Sequence, residues 1–327
     1  MTTTEAEPAL REPDLRAAGV ALRALAADPA CRKAFISAPL LGAALRPAAD
    51  RYVVAAERAG LLARLAVLAG RGYRVGAEYV GEEATALGEI EHVCDEYLRL
   101  IAESAGGPAP QLGFDLSNVG LLVSRELAVD NTARILRAAR DRGVEVVLSM
   151  ERSEFVDRIL SVYEELAAEH PNLGLTVQAH LHRTPADLDR IVAAGGKVRL
   201  VKGVYREDAA VALPRGPKLV ERYLDLAGEV LGRGVRLACG THDAAVLAGL
   251  ERRGLLGRLE EIDMLHGVRP DLLRRYRERA TPCRVSAVYG TNWWLHLLHR
   301  LAEHPANVLT ALADLADPDR TAAGHAY

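Results

Sequence analysis

The sequence predicts a (β/α)8 barrel preceded by helices, and three observations carry that prediction. Short β-rich runs alternate with amphipathic helical stretches eight times between residues 74 and 289. Several helical stretches close on a glycine suited to a helix C-terminus, at Gly143, Gly234 and Gly254. No GxGxxG follows the first β-rich run, which disfavours the competing doubly wound sheet with its dinucleotide crevice.

The elements follow in order. Before residue 72 the apolar pattern is helical, with one segment over Pro13–Ser37 and a second over Pro47–Gly70. The candidate strands are Arg74–Val80, Gln111–Ser117, Val144–Met150, Leu173–His180, Lys197–Gly203, Val235–Gly240, Glu260–Leu265 and Arg284–Tyr289. Thr184-Pro185 and Arg269-Pro270 mark helix starts, with proline in the first turn. The expected organisation is an N-terminal helical segment over 1–71, a barrel over 72–310 and a tail over 311–327. The closing DPDRTAAGHAY carries little periodicity.

Composition narrows the function. The 327 residues are 50% hydrophobic, enough for a large core, and the net charge is -3. Only four of the 41 basic residues are Lys and none cluster, which argues against a nucleic-acid partner. Cys31, Cys94, Cys239 and Cys283 show no CxxC spacing, so they read as thiols in a reducing cytoplasm. The polar, acidic start MTTTEAEPALREPD is no signal peptide, and no run of 18 apolar residues predicts a membrane span.

In a barrel, chemistry gathers at the C-terminal ends of the strands. Those ends carry Asp115 and Ser117; Ser149, Met150 and Glu151; Gln178, His180 and His182; Arg199, Lys202 and Tyr205; Thr241, His242 and Asp243; Asp263, Leu265 and His266; and Ser286 and Tyr289. The last strand runs into a helix that places His296, His299, Arg300 and Glu303 along one side. Two chemistries suit such a rim. A metal-dependent hydrolase would use His180 and His182 with His242, His266, Asp115 and Asp263, but the H-x-H pair lies on the wrong strand for the usual barrel site. A flavin or nucleotide site would use Arg199 and Lys202 for a pyrophosphate, Gln178 for a ring edge, and Thr241 and His242 for a ribityl chain or phosphate.

The motifs VGEEA (80–84), TVQAHLHRTPADL (176–188), RLVKGVY (199–205), GTHD (240–243), DMLHGVR (263–269) and YGTNWWLHLLHRLAEHPAN (289–307) together resemble the proline dehydrogenase family. The likeness spans roughly residues 70 to 307, in order, and the helical N-terminal segment resembles the monofunctional bacterial members. It implies a distorted barrel holding FAD over the strand ends, with contacts from Gln178, His180, Arg199, Lys202, Gly203, Thr241 and His242. It also implies a reaction in which hydride leaves the carbon beside a secondary amine for flavin N5, giving an imine, with a quinone, oxygen or another acceptor reoxidising the flavin. No metal is implied. Beyond Asn307 the family's catabolic members often carry a membrane-associating or lid segment, so the expectation is a cytoplasmic enzyme with peripheral membrane association left open.

On the substrate side the chain departs from the family pattern. Asp115 stands where the family has a Lys that meets the substrate carboxylate, and Ser149 where it has an Asp. Ser286 and His296 replace tyrosines, and His299-Arg300 replaces an Arg-Arg carboxylate clamp. Tyr205, Leu265, Arg300 and Glu303 keep the family residue types, and Glu82 matches an acidic gate residue that would face His299. The family's cationic pocket thus becomes one with a fixed anion, Asp115, and one fixed cation, Arg300. Each charge-assisted hydrogen bond lost to a buried carboxylate is worth roughly 1.5–3 kcal/mol. The expected substrate is therefore a proline-like or other amine of specialised metabolism rather than free L-proline. Genuine proline catabolism is the alternative, and a metal-dependent barrel hydrolase a more distant one.

Overall fold

The computed structural model describes residues 12–321 apart from 82, 106, 109, 305 and 306, together with residue 327. The chain divides into two compact units. One comprises the described residues of Met1–Val53 and Asn292–His325, and the other those of Val54–Thr291 with Tyr327. These cuts differ from the expected boundaries at 71/72 and 310/311. The helix after the last barrel strand makes its extensive contacts with the N-terminal helices, so it falls in their unit.

In the first unit the expected helix over Pro13–Ser37 is two helices, Glu12–Ala27 and Pro29–Ile36. The break falls where Asp28 caps the second helix by accepting the Ala30 N–H at 2.8 Å and Pro29 takes the first helical position. The expected helix over Pro47–Gly70 is also two, Pro39–Ala49 and Arg58–Gly70, separated by a short strand. Helix Glu12–Ala27 packs along helix Trp293–Glu303, with Arg23 donating to the Ala302 carbonyl at 3.0 Å. Phe35 stacks on Trp294 with ring centres 5.4 Å apart and meets Trp293 edge-on at 5.3 Å. Helix Asn307–Ala316 packs on Pro39–Ala49, and its fully buried Asp314 accepts from Arg51 at 2.6 Å and from Arg320 at 3.0 Å. In the tail, Pro318–Thr321 forms a 3-10 turn and residues 322–326 lie outside the described residues.

The second unit holds the barrel. The strands are β1 (Val53–Ala55, whose first residue falls in the other unit), β2 (Arg74–Tyr79), β3 (Gln111–Phe114), β4 (Val146–Leu148), β5 (Leu173–Gln178), β6 (Lys197–Val201), β7 (Leu237–Gly240), β8 (Glu261–Leu265) and β9 (Cys283–Tyr289). Strands β2 to β9 pair in parallel in sequence order, and β9 closes on β2 with Arg74 opposite Arg284 and Tyr79 opposite Tyr289. This is an eight-stranded parallel barrel with helices between its strands, as expected, and all eight predicted strands are present. The strand Val53–Ala55 was not expected; it adds to the sheet beside β9, where Gly290 N–H donates to the Ala55 carbonyl at 3.0 Å.

The outer faces of the strands meet the helices through apolar side chains such as Leu112, Val146, Leu175 and Ile262. Helix Arg125–Arg140 shows how one such helix begins: Ser124 accepts the Leu127 N–H at 3.0 Å. Removing that cap with Ser124→Ala should cost about 1 kcal/mol in equilibrium unfolding.

Alternate residues point into the barrel, and many of these are polar. At its N-terminal end Lys197 donates to Gln111 at 2.7 Å and to Glu261 at 2.5 Å, while Arg284 binds Glu261 at 2.8 and 3.0 Å. Arg74 reaches Glu261 at 3.0 Å from the rim. Among the described residues no helix is long and apolar enough to cross a membrane.

Candidate active site

Two residues further along the inward faces, Arg199 of β6 donates from Nε to Asp263 of β8 at 2.5 Å. The second carboxylate oxygen of Asp263 accepts the Ser286 hydroxyl of β9 at 2.6 Å. Glu78 of β2 faces the same interior: a Cβ on Gly113 would lie 3.6 Å from its carboxylate, and its charge acts on Arg199. Asp263 is expected from sequence only as a metal ligand, and Glu78 is not among the expected site residues. Its signal was available, as Arg74, Gly76 and Glu78 repeat at period two on a barrel strand.

Above this layer lie the strand ends. Asp115 leaves β3 half-buried and opens the 3-10 turn Leu116–Val119. Ser149 follows β4, half-buried, its N–H donating to the Phe114 carbonyl at 2.9 Å. Buried Glu151 accepts the Ser117 N–H at 3.1 Å; burial pushes its carboxyl up, against the opposing pull of the Ser117 contacts. Gln178 closes β5 with its amide donating to the carbonyls of Met150 and Glu151 at 2.8 and 3.1 Å.

The pairing of β5 with β6 continues past both strand ends, since His180 N–H donates to the Lys202 carbonyl at 2.9 Å. This lays the His180 ring against Gly203, whose φ is +108°. A Cβ added there would sit 1.8 Å from His180 Nδ1. His180 is 4% exposed, and burial holds its imidazole below the ordinary histidine value. Among the described residues neither ring nitrogen of His180 has a hydrogen-bond partner, and nor does Gln178 Oε1. Unpartnered buried polar atoms two residues apart on one strand face mark a place for a polar ligand.

Two cations read from the sequence as pyrophosphate contacts are otherwise engaged. Arg199 is bonded to Asp263, and Lys202 is bonded to Asp243. Asp243 also caps helix Ala244–Arg252, accepting the Ala245 N–H at 2.7 Å. Burial pushes the Asp243 carboxyl up, but Lys202 and the Ala245 N–H outweigh it and hold it below its usual value. His242 Nε2 accepts the Leu265 N–H at 2.9 Å, so that nitrogen carries no proton. Buried Thr241 accepts the Asp243 N–H at 3.2 Å, while Tyr205 and Leu265 are half-buried in the loops beyond β6 and at the end of β8.

The remaining residues singled out by sequence stand on helix Trp293–Glu303 of the other unit. There Arg300 donates to Glu303 at 2.7 Å, and its buried Nε has no partner among the described residues. Burial, then the charges of Arg300 and His299, hold His296 well below the ordinary histidine pKa. The expected gate residue 82 lies outside the described residues. Among the described residues no three His, Cys, Asp or Glu side chains come together to hold a metal.

Comparisons with known proteins converge. The model of the family described as proline dehydrogenase matches residues 61–308. Proline dehydrogenase 1 of Bacillus subtilis is 32% identical over 242 residues, covering 72% of this chain and 80% of the relative. Proline dehydrogenase of Deinococcus radiodurans is 28% identical over 271 residues, covering 79% and 87%. The fold matches proline utilization A from Bdellovibrio bacteriovorus with a TM-score of 0.71 at 18% identity, over 84% of this chain and 35% of that longer one, so the chain spans about a third of that protein.

Proposed function

The chain belongs to the proline dehydrogenase family, an oxidoreductase acting on CH–NH groups, and on that premise we propose that it binds FAD and oxidises an amine other than free L-proline. Buried Gln178 Oε1, the His180 ring and the side-chain-free face of Gly203 fit a flat, polar cofactor. Gln178, His180, Arg199, Lys202, Gly203, Thr241 and His242 would hold it. Bound flavin supplies a two-electron acceptor for the hydride that leaves the carbon beside the amine nitrogen.

One observation carries the substrate reading: Arg199 and Lys202, the two cations toward the C-terminal side of the barrel strands, are each already bonded to an aspartate. Glu78 faces the same interior and acts on Arg199, and Asp115 stands half-buried at the end of β3. An entering carboxylate would compete with Asp263 for Arg199 and with Asp243 for Lys202. A second ammonium or a hydrogen-bond donor suits Asp115 better, and Ser149 and Ser286 offer small polar walls. On their own helix Arg300 is matched by Glu303, and burial disfavours the charged form of His296, which weakens that face as a carboxylate clamp.

A second reading, proline itself, is favoured by the relatives' shared name and by Tyr205, Leu265, Arg300 and Glu303, which keep the family residue types. Anaerobic titration of the flavin-loaded protein separates the two. L-Proline is expected to bleach the flavin only far above micromolar concentration, whereas an amine carrying a second cationic or donor group bleaches it readily. Asp115→Lys should raise affinity for L-proline at least tenfold, about 1.4 kcal/mol. Efficient bleaching of the parent protein by micromolar L-proline would establish the second reading.

A further inference from the structure

Asp263 is the side chain whose placement the reaction and the cofactor contacts leave unexplained. Its carboxylate is fully buried in the barrel, where a charge is costly unless paired. Both of its oxygens are used, one by Arg199 Nε at 2.5 Å and the other by the Ser286 hydroxyl at 2.6 Å. The three residues come from β6, β8 and β9.

Glycines wall this group in. A Cβ on Gly76 would lie 3.1 Å from the Ser286 oxygen, and one on Gly240 would lie 3.3 Å from the Arg199 guanidinium carbon. The guanidinium therefore sits between β7 and Asp263 with little room to swing. It is held through Nε, and its side chain keeps 21% of its surface exposed.

We infer that Asp263 is a positioning residue that fixes the Arg199 guanidinium and offsets its charge, with Ser286 locking the carboxylate, so that the pair rather than the arginine alone sets the reduction potential of a flavin at the strand ends. The inference rests on the flavin reading above. Reduction adds negative charge to a flavin, and a nearby cation favours the reduced form. A carboxylate bonded to that cation subtracts from its field, and the subtraction is strongest where water is excluded.

The test is the midpoint potential of the FAD-loaded protein, read by equilibration with redox dyes, for the parent, Asp263→Asn, Asp263→Glu and Ser286→Ala. Asp263→Asn should move the potential positive by at least a tenfold change in the reduction equilibrium, about 30 mV for two electrons. Ser286→Ala should move it the same way by less, and Asp263→Glu, which keeps the charge, should stay near the parent. An unchanged potential in flavin-loaded Asp263→Asn overturns the inference. If Asp263→Asn fails to fold, an unchanged potential in Ser286→Ala overturns it instead. A parent protein that takes up no flavin from excess FAD removes the flavin reading itself, a different result from flavin bound at an unshifted potential.

Discussion

Glu261→Gln is expected to destabilise the barrel by about 3–5 kcal/mol, the usual cost of removing one partner from a buried ion pair. The carboxylate is fully buried at the first position of β8 and binds Lys197 and Arg284, which are themselves 2% and 8% exposed at the side chain. The glutamine would keep the volume and leave two buried cations short of their shared counter-charge. Burial alone would push the Glu261 carboxyl up; Arg284 and then Lys197 overcome that and bring it down to about 2. A group whose folded pKa is depressed contributes stability above its unfolded value, about 4.3, and loses it as pH falls through the folded one. The lowering corresponds to roughly 3 kcal/mol, in line with the substitution. Unfolding free energy measured by denaturant should therefore fall between about pH 5 and pH 2. It should fall less steeply in Glu261→Gln, and equal slopes for the two proteins would mean that Glu261 does not hold the barrel base.

The barrel was legible because each strand is a short β-rich run set between helical periods, and closure in sequence order follows from that alternation. What escaped is short or hidden inside another pattern. Val53–Ala55 is three residues long, and the surrounding apolar residues continue a helical spacing from residue 47 to residue 70, so periodicity had nothing to register. Asp28-Pro29 does carry a cap-and-start signal, but the apolar spacing runs through it and suggested one helix where there are two. Pro47 was read as a helix start; it lies in the last turn of Pro39–Ala49, where its missing N–H removes one bond just before the helix ends.

For the site, positions were legible and pairings were not. The rule that barrel chemistry sits at strand ends selected Gln178, His180, Lys202 and Thr241, which lie at or just past strand ends, and Arg199, which lies in the middle of β6. It could not show that Arg199 and Lys202 are matched by carboxylates 64 and 41 residues further along the chain. Ser286 stands where the family has a tyrosine, and sequence could not show that its hydroxyl donates to Asp263. Charge read along a sequence counts every cation as available, whereas in a low-dielectric interior a cation is costly unless an anion pairs with it. The charge balance of the strand ends is thus a property of the closed barrel.

Gly203→Ala is expected to abolish flavin retention and to cost about 2–6 kcal/mol, the sum of backbone strain and overpacking. At a φ of +108° the alanine is strained in any surroundings, and its Cβ would sit 1.8 Å from the His180 ring. That ring has nowhere simple to go, because its own backbone is bonded to Lys202 on one side and to Leu213 on the other. The strain therefore falls on the loop that carries Lys202 and Tyr205 as well as on the ring. Gly195→Ala separates the two contributions: Gly195 also has a positive φ, +82°, but a Cβ there meets nothing within 4 Å. It should lose stability through strain alone, about 1–3 kcal/mol, and keep its flavin. Adding His180→Ala to Gly203→Ala should recover the overpacking share of the loss, giving a coupling of about 1–3 kcal/mol between neighbours in direct contact. The readouts are flavin per protein after gel filtration and the denaturant midpoint. Full flavin content in Gly203→Ala would mean that the close approach of Gly203 to His180 is not part of the cofactor cradle.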